Sequence, residues 1–304
     1  MTEKPRVSLI ICTRNRGKAL DQMLELLLPL VHDNDQLLEI LVMDNGSSDQ
    51  TATTVGEYSR RWGKVVYSNE PNKGLSHARN KAVELAKGEI LAWTDDDLVI
   101  TKDWLSNLVA PIVANDADCV VGRIEIAPHL HRDWMKPFHR QWLAENINPS
   151  VPQLIGANMA MRKNCFVGGM AFDPETGPGA LGYMDDTLLG MRLRKLGKRI
   201  FYNDGARVVH HFSAGRLQRS FWIKTAQAGG RSTAYVAHHW EHGVISLLWA
   251  RLVWQRMKLG VLLVRTRFRG FAGSEGIDEQ EFGIRKTIAY IEGMCSLKGV
   301  PFKY

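Results

Sequence analysis

Short runs of Val, Ile and Leu alternate along this chain with segments in which apolar residues return every three or four positions. The runs are 7–12 (VSLIIC), 38–43 (LEILVM), 64–67 (KVVY) and 89–94 (EILAWT), and the first three each precede a helical spacing, at 18–31, 50–62 and 75–87. Strand followed by helix, repeated, predicts an α/β fold. Runs that are apolar at every position must be covered on both sides, so a doubly wound sheet with helices on both faces is expected. Further strands are expected at 119–126 (CVVGRIEI), at 156–161 (GANMAM) and in RIFYND, the last after a helix in DDTLLGMRLRKLG. Polar residues crowd the C-terminal ends of four runs: CTRNR, MDNGSSD, SNEPNKG and TDDD. Open α/β sheets bind their ligands at that edge.

The last of these ends puts Asp95, Asp96 and Asp97 between apolar flanks, in ILAWTDDDLVI. Semi-buried carboxylates a few Å apart repel one another and are costly to desolvate, so a positive partner is expected. A hard divalent cation that also bridges to phosphates is the commonest answer. The plainer alternative is an Asp-rich turn in which Asp97 or Thr101 caps the helix of KDWLSNLVAPIV. Four polar strand ends facing one edge favour the ligand.

Less regular stretches separate the later elements. APHLHRDWMKPFHRQWLAENINPSVPQL holds three His, two Trp and a Phe. It reads either as an aromatic insertion that stacks on sugar rings or, more simply, as an amphipathic packing segment. GGMAFDPETGPGALGYM is rich in glycine and expected to be mobile. Asp185 and Asp186 then open a helix whose Lys and Arg lie toward its end, a placement that the helix dipole alone would explain.

Taken in order, SLIICTRNR, VMDNGSSDQT, NEPNKGLSHARN, TDDD, DDTLLGMRLRKLG and ARVVHH resemble the motifs of the family 2 glycosyltransferases, over roughly residues 7 to 230. The resemblance implies a GT-A-type, Rossmann-like mixed sheet flanked by helices. The catalytic domain would be 1–212, with its nucleotide-sugar part at about 1–100 and its acceptor side at about 101–212. A mainly helical region, 213–304, would follow. It implies transfer of a sugar, with inversion, from a nucleotide diphosphate donor, UDP being the expected nucleotide, to a hydroxyl acceptor. The setting would be cell-surface polysaccharide or glycolipid synthesis.

Carried over residue by residue, Thr13, Arg14, Asn15 and Asp44 match donor-binding positions around the base and ribose. Asn72, Gly74 and Arg79 match the nucleotide-binding stretch before and within the third helix. Asp95 falls by the ribose, and Asp96, grouped with it among the donor-binding residues, either faces away or supports its neighbours. Asp97 and His210 would hold Mn2+ or Mg2+, with His211 as the adjacent alternative. Asp186 matches the presumed base that takes the acceptor's proton. The family's usual Glu before it is here Asp185, one methylene shorter, so Asp185 stands in reserve as a second catalytic candidate. The glycine-rich loop before the pair could close over the donor and exclude water.

Charge alters the picture only in the last third. Residues 1–204 carry 24 Lys/Arg against 26 Asp/Glu, and residues 205–304 carry 15 against 6, so the net +7 of the 304-residue chain comes from its end. Within 244–268 (VISLLWARLVWQRMKLGVLLVRTRF), Arg251, Arg256, Lys258, Arg265 and Arg267 interrupt the apolar residues, and no uncharged run reaches the ~20 residues that span a bilayer. Arg251, Lys258 and Arg265 recur every seven positions, one basic stripe beside broad apolar faces. That pattern suits a helix lying on an anionic membrane surface, near a lipid-linked acceptor, or a helix packed on protein with its arginines solvated. His238 and His242 have the i, i+4 spacing of a metal pair, though packing histidines are the simpler reading.

The six-residue apolar run near the start is too short for a signal-peptide core. Four scattered cysteines form no C-x-x-C pair, so a reducing cytoplasm, with a peripheral place at the inner membrane face, is expected. A nucleotidyltransferase should carry a Gly-rich phosphate loop after the first strand, and CTRNRGKAL has one glycine. Nucleic acid is not an expected partner, because the basic residues alternate with Leu, Val and Trp and form no polar basic face.

Overall fold

The computed structural model describes residues 5–31, 34–268 and 274–304, the side chains of 266–268 excepted, so the Arg267 side chain lies outside the described residues. Two compact units divide the chain: Met1–Arg132, His139–Pro174 and Asp185–His211 form one, and Asp133–Phe138, Glu175–Met184 and Phe212–Tyr304 the other.

The first unit runs β1 (Val7–Thr13), α1 (Gly17–Val31), β2 (Leu37–Asp44), α2 (Thr51–Arg61), β3 (Val65–Asn69), α3 (Leu75–Leu85), β4 (Ile90–Thr94), β5 (Leu98–Ile100), α4 (Trp104–Val113) and β6 (Cys119–Ile126). After the short α5 (Pro137–Trp142) come β7 (Asn158–Arg162), α6 (Asp185–Lys195) and β8 (Ile200–His210). All eight strands form one sheet in the order β3-β2-β1-β4-β7-β6-β8-β5. The first four are parallel, as the strand-helix alternation predicts. β7 enters antiparallel to both β4 and β6, which makes the sheet mixed.

Alternation along the strands sends Val7, Leu9 and Ile11 into a core with α1 and α4, and Ile10, Leu91 and Trp93 into a second core with α3 and α6. Both faces are dry, which is why these strands read as unbroken apolar runs. A polar knot fixes β7 in the middle. Asn158 accepts from Trp104 Nε1 at 2.9 Å and donates to Arg123 O and Ala206 O at 3.0 and 2.8 Å, leaving no buried amide group idle.

The triplet does not cap the next helix. Asp103 occupies the N-cap of α4 and makes no side-chain cap, while Thr101 contributes only its carbonyl, to Trp104 N–H at 3.1 Å.

In the second unit α7 (Arg219–His239), α8 (Leu248–Phe268) and α9 (Glu279–Ser296) follow one another. α7 and α9 cross closely because Gly230 has no side chain: a Cβ there would lie 2.3 Å from Lys286 O. Fully buried Trp222 collects Trp134, Phe138, Phe221 and Phe282 around it, so the aromatics of the 127–154 stretch that fall in this unit pack against protein.

The glycine-rich loop is tied down on α7, with Tyr183 Oη donating to Thr225 Oγ1 at 3.1 Å and Ser232 Oγ donating to Leu181 O at 3.2 Å. His238 and His242 do not share a helix, because α7 ends at His239 and His242 adopts φ +54°. Their Nε2 atoms instead meet Val300 O and Tyr304 O, at 3.0 and 2.7 Å.

No helix among the described residues is long and apolar enough to cross a membrane. α8 nonetheless leaves Trp249, Val253, Trp254, Met257, Val261 and Val264 exposed, at 47% or more.

Candidate active site

Register brings the strand ends together. Thr13 pairs with Asp44 and Asp44 with Asn69, so β1, β2 and β3 finish level. Thr94 pairs with Asn158, which sets Gly156 beside the start of the Asp triplet. Leu98 pairs with His210, and His211 N–H donates to Asp97 O at 2.8 Å, which draws the end of β8 to the same place. Sequence separations of up to about 110 residues thus collapse onto one sheet edge, by hydrogen-bonded pairing alone.

On the β2 side both oxygens of buried Asp44 are engaged, Oδ1 by Ser47 N–H at 2.8 Å and Oδ2 by Tyr67 Oη at 2.9 Å. Burial, and then this bond, push the Tyr67 hydroxyl up to about 12. Asn45 clasps the loop after β3, donating to Glu70 O and Asn72 O and accepting from Gly74 N–H at 2.8 Å. Gly74 holds φ +134°, open to glycine and strained for other residues, and the Asn72 side chain is exposed. Half-buried Arg14 and exposed Asn15 form the turn after β1. The Asn15 backbone N–H donates to Ser47 Oγ at 2.8 Å, and its side-chain oxygen accepts from Ser48 N–H at 2.8 Å.

The triplet is three different environments. Asp95 is half-buried at the edge, near enough to Arg79 and Arg16 to act on both electrostatically. Asp96 turns inward: Thr13 Oγ1 donates to its Oδ2 at 2.7 Å, and Arg16 Nη1 lies 2.9 Å from its Oδ1. Burial pushes the Asp96 carboxyl up to about 6, against the pull of Arg16 and Thr13 and with help from Asp97 and Asp95. Asp97 receives Arg16 Nη2 on Oδ2 at 3.1 Å and faces His210 Nε2 across 3.5 Å with Oδ1.

The second acidic group is built differently. Asp185 accepts an ion pair from Arg79 Nη1, with both side chains at 7% exposure or less. Burial pushes the Asp185 carboxyl up to about 6, Arg79 opposing the rise and Asp186 adding to it. The Arg79 guanidinium also lies over the Phe172 ring at 5.4 Å. It fits only because residue 156 is glycine, since a Cβ there would sit 1.8 Å from Arg79 Nη2. Half-buried Asp186 accepts Gly156 N–H on Oδ2 at 2.9 Å and Thr187 N–H on Oδ1 at 2.7 Å. Met184, just before the pair, holds φ +79°, a strained setting for a non-glycine residue.

Among the described residues no three of His, Cys, Asp and Glu come together as a ready metal centre. Asp97 and His210 still suit a hard or borderline cation. His210 Nδ1 meets Leu143 O at 3.0 Å, which sets the ring with Nε2 toward Asp97 Oδ1. A ring nitrogen and a carboxylate oxygen face each other, an arrangement suited to a proton or cation between them. A two-ligand protein site leaves the remaining positions to phosphate oxygens and water, the usual economy of such ions. Burial, followed by His129, holds His211 below the ordinary histidine value.

Sequence reading passes over Arg16, Asn45 and Gly156. Arg16 stands inside CTRNR and Asn45 inside MDNGSSD, but nothing local marks the partners each finds.

An acid-lined edge on a Rossmann-like mixed sheet is the hallmark of GT-A-type enzymes that handle nucleotide sugars. The chain belongs to Glycosyl transferase family 2, whose sequence profile matches residues 8–169, more than half of it. It is 23% identical over 237 residues to the glucosyl-dolichyl phosphate glucuronosyltransferase of Haloferax volcanii, covering 71% of this chain and 74% of that one. It is 28% identical over 141 residues to the cholesterol galactosyltransferase of Borreliella burgdorferi, 45% of this chain and 38% of the other. Among solved structures, the mannosyltransferase PcManGT from Pyrobaculum calidifontis in complex with GDP-Man and Mn2+ matches with a TM-score of 0.63 at 18% identity, over 98% of this chain and 88% of that one. GalNAc-T7 with UDP, GalNAc and Mn2+ matches at 0.55 and 17%, over 78% and 50%. These two likenesses show the GT-A fold. The protein is a glycosyltransferase.

Proposed function

We propose that this glycosyltransferase is metal-dependent and inverting, and moves a sugar from a nucleoside diphosphate, UDP first among candidates, to the hydroxyl of a lipid-linked or other glycan acceptor. One observation carries the reading: two separate acidic groups, Asp95 to Asp97 and Asp185 to Asp186, stand at one sheet edge, and the first of them meets a buried histidine. Asp44 and Asp95 would orient the base and ribose, with Thr13 acting through Asp96. Asp97 and His210 would hold the cation. When bound, Mn2+ or Mg2+ would neutralise charge on the departing nucleoside diphosphate.

Asp186 is the better base. Asp185 is committed to buried Arg79, whereas Asp186 is more exposed and held in place by two backbone N–H groups. The base must meet the acceptor's hydroxyl on the face opposite the leaving group, and a fixed carboxylate lowers the ordering cost of that encounter. A panel of UDP- and GDP-linked sugars, scored for Mn2+-dependent thermal stabilisation and hydrolysis, tests the donor side. Stabilisation by none of them, with or without Mn2+, would remove the reading.

The acceptor is proposed to be presented at an anionic membrane surface. Support comes from α8, where Trp254, Met257, Val261 and Val264 recur at helical spacing and remain exposed, beside exposed Arg251, Lys258 and Arg265. α8 has no Asp or Glu, so a second copy would meet like charge, whereas an anionic lipid surface would not. Two of the relatives are named for lipid-containing molecules, a glucosyl-dolichyl phosphate and cholesterol. Arg251, Lys258 and Arg265 changed together to Glu should abolish sedimentation with phosphatidylglycerol vesicles and leave turnover of soluble acceptors intact. Unchanged sedimentation of the folded variant would remove the membrane assignment.

A further inference from the structure

Arg16 holds two carboxylates at once. Its Nη1 lies 2.9 Å from Asp96 Oδ1 and its Nη2 3.1 Å from Asp97 Oδ2, the fork of a guanidinium laid across neighbouring acids. The acids are buried and the cation is partly exposed. The Asp96 and Asp97 side chains are 3% and 6% exposed, that of Arg16 39%. The Arg16 backbone is anchored, its carbonyl accepting Leu20 N–H at 2.9 Å in the first turn of α1, so only the side chain is at liberty to move. Asp96 would keep the Thr13 hydroxyl at 2.7 Å if Arg16 left.

We propose that Arg16 is a displaceable internal counter-ion: it neutralises Asp96 and Asp97 in the ligand-free protein and gives up Asp97 when metal and nucleoside diphosphate arrive together. The inference rests on Asp97 being the metal ligand. A guanidinium and a divalent cation on one carboxylate repel, so the bare metal must compete with Arg16 and binds weakly. A diphosphate changes the balance, because its oxygens offer the guanidinium a bidentate anionic partner as good as the one it leaves. Metal and nucleotide then bind as a unit, and the site stays closed to stray cations without substrate. Arg79 has no such freedom, being 4% exposed on its side chain and laid against Phe172.

The test is Mn2+ binding to the full chain, followed by electron paramagnetic resonance, with Mn2+ alone and with UDP or GDP present, after correction for the nucleotide's own Mn2+ binding. In the wild type either nucleotide that binds should tighten Mn2+ binding about tenfold or more, a common size for coupling between sites. Arg16→Gln should bind bare Mn2+ about tenfold more tightly than wild type and lose most of that coupling. Arg16→Lys, which keeps the charge but not the fork, should stay within about threefold of wild type for bare Mn2+ and shows that charge is what matters. Should Arg16→Gln not fold, Arg16→Met gives the same neutral comparison. A neutral variant whose Mn2+ curves match wild type, in the presence of normal coupling, would overturn the role of Arg16 alone. A wild type that binds no Mn2+ under any of these conditions would overturn the metal reading and this inference with it.

Discussion

The two acidic groups at the sheet edge look alike in composition and differ in how they are neutralised. Each holds a buried carboxylate pushed up to about 6 by burial, Asp96 in one and Asp185 in the other, and each is paired with an arginine. Arg79 is sealed in, between Asp185, Phe172 and the bare backbone of Gly156. Arg16 reaches in from partial exposure. A sealed ion pair is a strut, costly to break because the surviving charge has no water to turn to. An exposed one is a stopper, cheap to exchange for another cation. The difference divides the edge into a half that holds its shape and a half that waits for charge.

Four expectations sharpen or break that division. The largest concerns turnover: Asp97→Ala and Asp186→Ala should each lower kcat/KM by about 10²–10⁴-fold, the range expected for losing a group that acts on the transition state. Only Asp97→Ala should also abolish Mn2+-dependent stabilisation by the nucleotide. If the two variants lost metal response equally, the halves would not be distinct.

Next is stability in urea. Arg79→Ala leaves Asp185 buried and unpaired and should cost about 3–5 kcal/mol, whereas Arg16→Ala also strands buried carboxylates but opens them to the solvent that Arg16 already touches, and should cost less, about 1–3 kcal/mol. Equal losses would contradict the contrast of strut and stopper. Gly156→Ala should then cost about 3 kcal/mol through the overlap with Arg79 and should depress activity with it. A neutral effect on both would mean that Arg79 has room to move.

The smallest effect is a pH slope. The Asp185 carboxyl rises from 3.8 to about 6 on folding, so the folded protein binds the extra proton between those values. That contribution is full below pH 3.8 and is lost as pH rises through about 6. Relative to Asp185→Asn, which does not titrate, the wild type should therefore lose roughly 2 kcal/mol of stability between pH 4 and pH 7. A difference that does not change over this window would place Asp185 in a more solvated setting.

How much of this was legible beforehand depends on the kind of signal. β1, β2 and β6 are found within about a residue of their apolar runs, because strands covered on both faces leave an unbroken pattern. β5 is not: Leu98–Ile100 is three residues long and reads as a flank of the triplet, and becomes a strand only by pairing with β8. RIFYND marks just the start of β8, which runs on to His210 through exposed residues on its open side. α7 carries no clean helical stripe and contains a Gly-Gly pair. Its 21 residues are held by close packing on α9, which only a small residue such as Gly230 permits.

The chain's own order of residues decides the kind of protein this is. Local alternation dictates the strands and helices, and the acids at their ends, taken with the ordered motifs, mark the family and its sheet edge. What each acid does there is a tertiary matter. Asp95, Asp96 and Asp97 are chemically identical neighbours, and they part only when Thr13 of β1, Arg16 of the turn after it and His210 of β8 arrive from afar in sequence and burial sets the worth of each charge. The reason is physical: propensity and pattern act over a few residues, whereas the field at a carboxylate is the sum over everything folded around it.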